Sequence, residues 1–156
     1  MIDPIVHLNY PLPIEKLLFE AEEVKKSAKP YTDDRYPDQS KNDWLIGHHS
    51  SSTIDSIMDN FNIEGKARFY WLEPYAEIPE HVDNGTKCSL NFILSKDPAP
   101  ILIDNVEYTY KQALLDTTVS HSVRNGDTER LLLKISIFHK SFFQVLRNIP
   151  DAYKRR

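Results

Sequence analysis

His81-Val82-Asp83 sets an imidazole and a carboxylate two positions apart. Alternate side chains of a β-strand leave the same face, so this pair can grip one cation together. Such a cation needs a third protein ligand. Downstream, the strand-rich part of the chain offers His121 and, at the end of its last apolar run, His139. Two imidazoles and one carboxylate leave open positions on an octahedral ion, the donor set suited to non-haem Fe(II) and dioxygen chemistry. The competing reading is two surface residues beside an Asn84-Gly85 turn.

A second pattern lies around His121. The run from His121 to Arg130 contains Asn125-Gly126, a dipeptide that closes two-residue hairpins. In that register His121 and Arg130 are direct cross-strand neighbours, with Cβ atoms about 4.5–5.5 Å apart. A loop of another length would break the pairing. The register puts a guanidinium beside the metal, and arginine grips carboxylates through two parallel hydrogen bonds. A dicarboxylate would then chelate the metal at one end and meet Arg130 at the other. The alternative is a surface arginine paired with Asp127 or Glu129.

Several elements must position these residues. Ile14, Leu17, Leu18, Ala21 and Val24 form a helical stripe over 13–27, with Glu15 early and Lys25 and Lys26 late, as the helix dipole favours. Residues 28–43 read as a long loop, and 51–61 as a second helix with a serine cap and Ile54, Ile57, Met58 and Phe61 inward. From Lys66 the texture changes to short β-branched or aromatic runs at 67–72, 87–94, 101–103, 106–110, 112–115, 117–123 and 130–138. Turn signals at Asn84-Gly85, Asp97-Pro98, Asp104-Asn105 and Asn125-Gly126 separate them. Many short strands at such spacing imply a sandwich or barrel. A last helix is expected over 141–148, then a basic tail. The chain reads as one domain, 1–156: a helical front (1–65), a β core (66–139) and a closing helix and tail (140–156).

His81-Val82-Asp83, then His121, then Arg130 nine residues on and the strand Leu131-Leu132-Leu133-Lys134-Ile135-Ser136-Ile137-Phe138, resemble the Fe(II)/2-oxoglutarate-dependent oxygenases. His121-Ser122-Val123-Arg124-Asn125 followed by Arg130 is most similar to the aspartyl/asparaginyl β-hydroxylase and free-proline hydroxylase branch. The resemblance covers 66–138, about half the chain. It implies a double-stranded β-helix, a cupin-like jelly roll that is mainly β with flanking helices. It implies Fe(II) on His81, Asp83 and His121, 2-oxoglutarate as co-substrate with its far carboxylate on Arg130, and dioxygen as oxidant. Two positions depart from the pattern. Leu132 stands where some members have a serine two residues after the arginine, and the glycine pair of the prolyl hydroxylases is absent. Tyr70, on the strand before the metal motif, and Asn91, interrupting an apolar run, are candidates for the second carboxylate partner. Either is equally well a hydrogen-bonded structural residue. Alternation sets Cys88, Leu90, Phe92 and Leu94 against Ser89, Asn91 and Ile93, and leaves open which set faces inward.

The implied activity is hydroxylation of a C–H bond in an amino acid, peptide side chain or other small polar substrate. The segment 31–44, with Asp33, Asp34, Arg35, Tyr36 and Trp44, has the composition of a lid for such a substrate. The rival is a cupin-like jelly roll that binds a metal or small ligand without co-substrate or without catalysis. A net charge of −4 argues against nucleic acid, and no apolar run is long enough to span a bilayer. The start lacks a signal-peptide pattern, so a cytoplasmic location is expected. Cys88 is the single cysteine, which excludes an internal disulfide, and it reads as a small buried hydrophobe. Four glycines leave no phosphate-cradling loop. His48-His49 reads as solvated loop, Ser50 to Ser52 lack a nucleophile elbow, and His7 and His139 have no evident partner.

Overall fold

A computed structural model describes residues 3–30 and 44–155; of the expected lid, only Trp44 lies among them. In chain order come β1 (Ile5–His7), α1 (Ile14–Lys25), β2 (Lys29–Pro30), β3 (Trp44–His48) and α2 (Ser52–Phe61). There follow β4 (Lys66–Leu72), β5 (Glu77–His81), β6 (Cys88–Ile93), β7 (Ala99–Ile103) and β8 (Val106–Tyr110). The chain closes with β9 (Gln112–Leu115), β10 (His121–Arg124), β11 (Arg130–Ile137), α3 (Phe142–Asn148) and a 3₁₀ turn (Asp151–Tyr153). No helix among the described residues is long and apolar enough to cross a membrane.

The described strands form two antiparallel sheets. The larger has the order β1-β9-β6-β11-β4-β3-β2, the smaller β5-β10-β7-β8. Following the chain from β4 to β11, the strands pass back and forth between the sheets, a jelly roll as the resemblance implies and within the sandwich-or-barrel class that the short strands suggest. The period-two alternation splits the large sheet's side chains cleanly. Phe69, Trp71, Leu90, Phe92, Leu133 and Ile135 meet Leu17 and Ala21 of α1, Ile54, Ile57 and Phe61 of α2, and Phe142 and Val145 of α3 in one core. Tyr70, Leu72, Ile93 and Leu132, on the other face, meet Ile101 and Ile103 of the small sheet in a second core. The alternation left open in β6 is thereby decided: Cys88, Leu90, Phe92 and Leu94 face the helices, while Ser89 and Asn91 face the space between the sheets.

Ser51 caps α2 by accepting from the Ile54 amide at 3.2 Å, and α3 opens on a capping box of Ser141 and Gln144. In α1 the buried stripe is narrower than the periodicity predicts: Ile14 and Leu18 are 44% and 36% exposed. The helix lies so close to β3 that a Cβ at Gly47 would collide with Val24. β1, β2, β3 and β5 are strands that sequence patterning did not indicate. β5 carries Pro79, tolerated because β5 is an edge strand.

The expected hairpin between His121 and Arg130 does not form. β10 pairs with β5 and β7, whereas β11 pairs with β4 and β6 in the other sheet. A type I′ turn needs positive φ at both central residues, and neither Asn125 nor Gly126 has it. Asn125 instead pins a crossover between sheets. It is buried, and its Nδ2 donates to the carbonyls of Leu72 (3.2 Å), Glu73 (2.9 Å) and Thr128 (2.9 Å). Positive φ at two successive residues occurs at Asp104 (51°) and Asn105 (65°), where Ile103 pairs with Val106.

Candidate metal centre

His81, the last residue of β5, and His121, the first of β10, are Cα partners across adjacent strands, and their rings lie 4.4 Å apart. Asp83 follows two residues beyond His81, its amide bonded to the Thr117 carbonyl at 3.2 Å. The three side chains converge, with one ligand atom of each within 4.8 Å of the others. Each imidazole is oriented by the same local device. His81 Nδ1 is 2.7 Å from the Pro79 carbonyl oxygen and His121 Nδ1 is 2.8 Å from that of Val119. A carbonyl only accepts, so both Nδ1 atoms carry protons and both Nε2 atoms face inward. Each Nε2 lies 3.2 Å from Asp83 Oδ1. With neutral imidazoles, three lone-pair atoms face one another with no proton between them. A cation at their centre satisfies all three, so the donor set fits a divalent metal.

The remaining carboxylate oxygen is taken. Lys134, on β11, brings Nζ to 2.7 Å from Asp83 Oδ2, and the two side chains are 15% and 11% exposed. Burial alone would raise the Asp83 carboxyl. Hydrogen bonds from His121 and His81, when their Nε2 atoms are also protonated, and the Lys134 ammonium more than reverse this and hold it well below the usual carboxylate range. The ammonium's share stands whichever form the imidazoles take. Burial likewise pushes Lys134 down, but the Tyr70 and Asp83 oxygens outweigh it and the amine is held above its ordinary value.

The triad opens into a cavity of about 560 Å³ between the sheets, whose wall also holds Arg68, Tyr70, Asn91, Tyr110, Arg130 and Lys134. Arg130 therefore lines the triad's cavity from the opposite sheet, and is not the cross-strand neighbour of His121 that the hairpin register predicts. It is 4% exposed, donates from Nη1 to the Pro100 carbonyl at 3.2 Å, and has no acidic partner among the described residues. Burial lowers its pKa, with Tyr110 acting in the other direction. Tyr70 is in the wall, 6.2 Å from the ring of Trp44, so the described end of the expected lid borders the same space. The Asn91 amide is engaged at both ends: Oδ1 accepts from Ser89 Oγ at 2.9 Å, and Nδ2 donates to Tyr110 Oη at 3.1 Å. Tyr110 is 3% exposed, and its own hydroxyl proton has no acceptor among the described residues. A larger depression of about 710 Å³ shares Arg130, Ile78 and Val123 but contains none of the triad.

Sequence reading missed Arg68, Tyr110 and Lys134. The signal for Lys134 was its even spacing from Arg130 within an apolar strand: the face that carries one cation inward carries the other. The remaining histidines stay apart from the centre. His49 Nε2 meets Glu20 Oε1 at 2.8 Å, His48 and His139 are exposed, and His7 has a buried Nδ1 without a partner among the described residues. Cys88 is buried, and burial pushes its thiol up to about 12.

No protein-family model matches the chain, and no curated protein matches it in sequence. Solved structures do. A Pseudomonas putida prolyl-4-hydroxylase superposes with a TM-score of 0.67 over 86% of this chain and 90% of its own, at 15% identity. The two share a jelly-roll fold. A prolyl hydroxylase from Trichoplax adhaerens, solved with a peptide fragment of a hypoxia-inducible factor oxygen degradation domain, gives 0.64 over 86% of this chain and 83% of its own, at 13% identity. At such identities the likeness concerns architecture, and the chemistry has to be argued from this chain's own side chains.

Proposed function

We propose that this chain is an Fe(II)- and 2-oxoglutarate-dependent dioxygenase that hydroxylates a C–H bond of an amino acid, a peptide side chain or another small polar molecule. The observation that carries the reading is the inward convergence of His81 Nε2, His121 Nε2 and Asp83 Oδ1 in a cavity whose wall holds a cation without an acidic partner among the described residues, Arg130. His81, Asp83 and His121 would hold the iron, which supplies dioxygen activation coupled to oxidative decarboxylation of the co-substrate.

The protein's own contribution lies in orientation and exclusion of water. The Pro79 and Val119 carbonyls fix the imidazole tautomers. Lys134 occupies Asp83 Oδ2, which leaves Oδ1 as the oxygen offered to a metal. Arg130 would take the far carboxylate of 2-oxoglutarate through a charge-assisted pair, and Tyr110, held by Asn91, has the proton to serve as second donor. Tyr70 lines the same space. Leu72, Ile101 and Leu132 supply an apolar wall that keeps the reacting centre dry. The run 121–125 with Arg130 supports the aspartyl/asparaginyl β-hydroxylase and free-proline hydroxylase branch.

The test is release of succinate and CO₂ from 2-oxoglutarate by the purified protein with Fe(II) and oxygen, even without a primary substrate. Formation of both products that is lost in His121→Ala supports the reading. Their absence at saturating iron and 2-oxoglutarate contradicts it and leaves a metal-binding jelly roll.

A further inference from the structure

The cavity wall holds more positive charge than the proposed chemistry uses. Arg68, Arg130 and Lys134 face it, against the single carboxylate of Asp83. A divalent metal and a doubly charged co-substrate cancel one another, so the excess survives loading. Its unassigned part is Arg68. On the large sheet Arg68 is the Cα partner of Lys134, both pointing into the cavity. Like charges directly opposite on one sheet face repel. Asp83 neutralises Lys134 at 2.7 Å. Nothing does so for Arg68 among the described residues. Its Nη2 donates to the neutral Ser136 Oγ at 2.7 Å, its guanidinium lies 5.7 Å from the centroid of the Tyr70 ring, and its Nε is buried without an acceptor. The group is thus held from two sides, charged, and short of one anion among the described residues.

Its place separates it from the co-substrate's cation. Lys134, opposite Arg68, lies four residues from Arg130 on the same face of β11, or about 13 Å along the strand. Arg130 and Arg68 therefore mark opposite ends of the cavity, with Lys134 and the metal ligand Asp83 beside the Arg68 end. A cavity of about 560 Å³ that must also admit 2-oxoglutarate leaves room for a small molecule.

We propose that Arg68 receives a carboxylate of the primary substrate, and that this substrate is a small free carboxylic acid, with free amino acids the first class to try. This rests on the reading of the preceding section. The recognition is a guanidinium–carboxylate contact, made by a residue that stacks on Tyr70 and is braced by Ser136.

The experiment is calorimetric titration of protein loaded with Zn(II), which supports no turnover, first with 2-oxoglutarate. The loaded complex is then titrated with the common L-amino acids, with small mono- and dicarboxylic acids, and with the carboxamide of each. The expected result has three parts. At least one acid binds, with its carboxamide at least about tenfold weaker. Arg68→Gln loses about tenfold or more for the acid, the scale of a charged hydrogen bond, while keeping its 2-oxoglutarate affinity. Arg68→Lys, which keeps the charge without the planar fork, recovers part of the loss and is the variant to read if the glutamine form does not melt cooperatively. Binding of no acid, equal binding of acids and carboxamides, or an Arg68 variant that weakens 2-oxoglutarate instead of the acid overturns the proposal. Failure of the first titration counts against the preceding reading alone. The acids are then titrated into the Zn(II) form without 2-oxoglutarate, where dependence on Arg68 decides in the same way.

Discussion

Lys134 gives Asp83 one oxygen to offer, because the other is held at 2.7 Å by the ammonium. Removing one partner of a buried ion pair costs about 3–5 kcal/mol. A bound divalent cation supplies the carboxylate with another positive neighbour. Lys134→Met is therefore expected to lose stability of about that size in metal-free protein and distinctly less with Zn(II), by urea denaturation; equal losses in both forms would contradict the role given to the pair. At Cys88 the sign is simple. A thiol pushed up to about 12 stays protonated at pH 8, and the thiolate is the nucleophile. An aromatic disulfide reagent at pH 8 should leave the native protein untouched and react fully in denaturant. Fast labelling of native protein would refute the buried placement. His81 and Asp83 stood out together because only one residue separates them in sequence, but the strand alternation expected for the pair does not hold: β5 ends at His81 and Asp83 lies beyond it. Lys134 was harder to find, since its partner lies 51 residues away and only the folded sheets bring them together.

At the scale of elements, the crossover at Asn125 decides where Arg130 points. The two Asn125 Nδ2 hydrogens are shared among three carbonyls, and Oδ1 accepts from the Gly126 amide at 3.0 Å, all in buried or half-buried surroundings. Truncation leaves carbonyls without donors, at roughly 1 kcal/mol net per bond. Asn125→Ala should cost about 2–4 kcal/mol in urea denaturation and should also weaken 2-oxoglutarate, because the strand bearing Arg130 begins five residues on. A loss below about 0.5 kcal/mol, the level of an ordinary surface substitution, would contradict the pinning role. Asn-Gly misleads at the sequence level because the same dipeptide serves a hairpin turn and a side-chain-pinned crossover. What separates them is the sign of φ and the destination of the amide hydrogens, both set by the sheets. β5 was hidden for a related reason: Glu77-Ile78-Pro79-Glu80-His81 lacks a β-rich pattern and holds as an edge strand through its pairing with β10. The helices were legible, since caps and apolar periodicity are local. The exposed flank of α1 was not, since Ile14 and Leu18 fit the same apolar periodicity as the buried Leu17 and Ala21.

For the molecule as a whole, the two cores divide the work. The helix-side core fastens the large sheet, while members of the inter-sheet core such as Tyr70, Leu72, Ile101 and Leu132 also line the cavity that holds the triad. A ligand that binds only the folded chain stabilises it by mass action, about 2.7 kcal/mol at a hundred times its Kd. At this chain length that raises Tm by roughly 5–10 °C. Zn(II) should produce such a shift in the native protein and none in His121→Ala, by differential scanning calorimetry; a shift retained in the variant would move the metal elsewhere. The architecture was readable from the rhythm of short strands and turns, but the facing of the two sheets across a charged cavity was not, because cations on β4 and β11 acquire meaning only once their register is known. The central claim is that one cavity holds both the metal and 2-oxoglutarate, with Arg130 on the far carboxylate. Its most direct measurement is 2-oxoglutarate affinity, read from the visible absorbance of the anaerobic Fe(II) chelate in native protein, Arg130→Ala and Arg130→Lys, beside an iron titration of each. The account predicts unchanged iron binding throughout, a loss of one to two orders of magnitude in 2-oxoglutarate affinity for the alanine form, about 1.4 kcal/mol per tenfold, and partial recovery with lysine. Equal 2-oxoglutarate affinity in native and Arg130→Ala protein, or no chelate band in either, would contradict it.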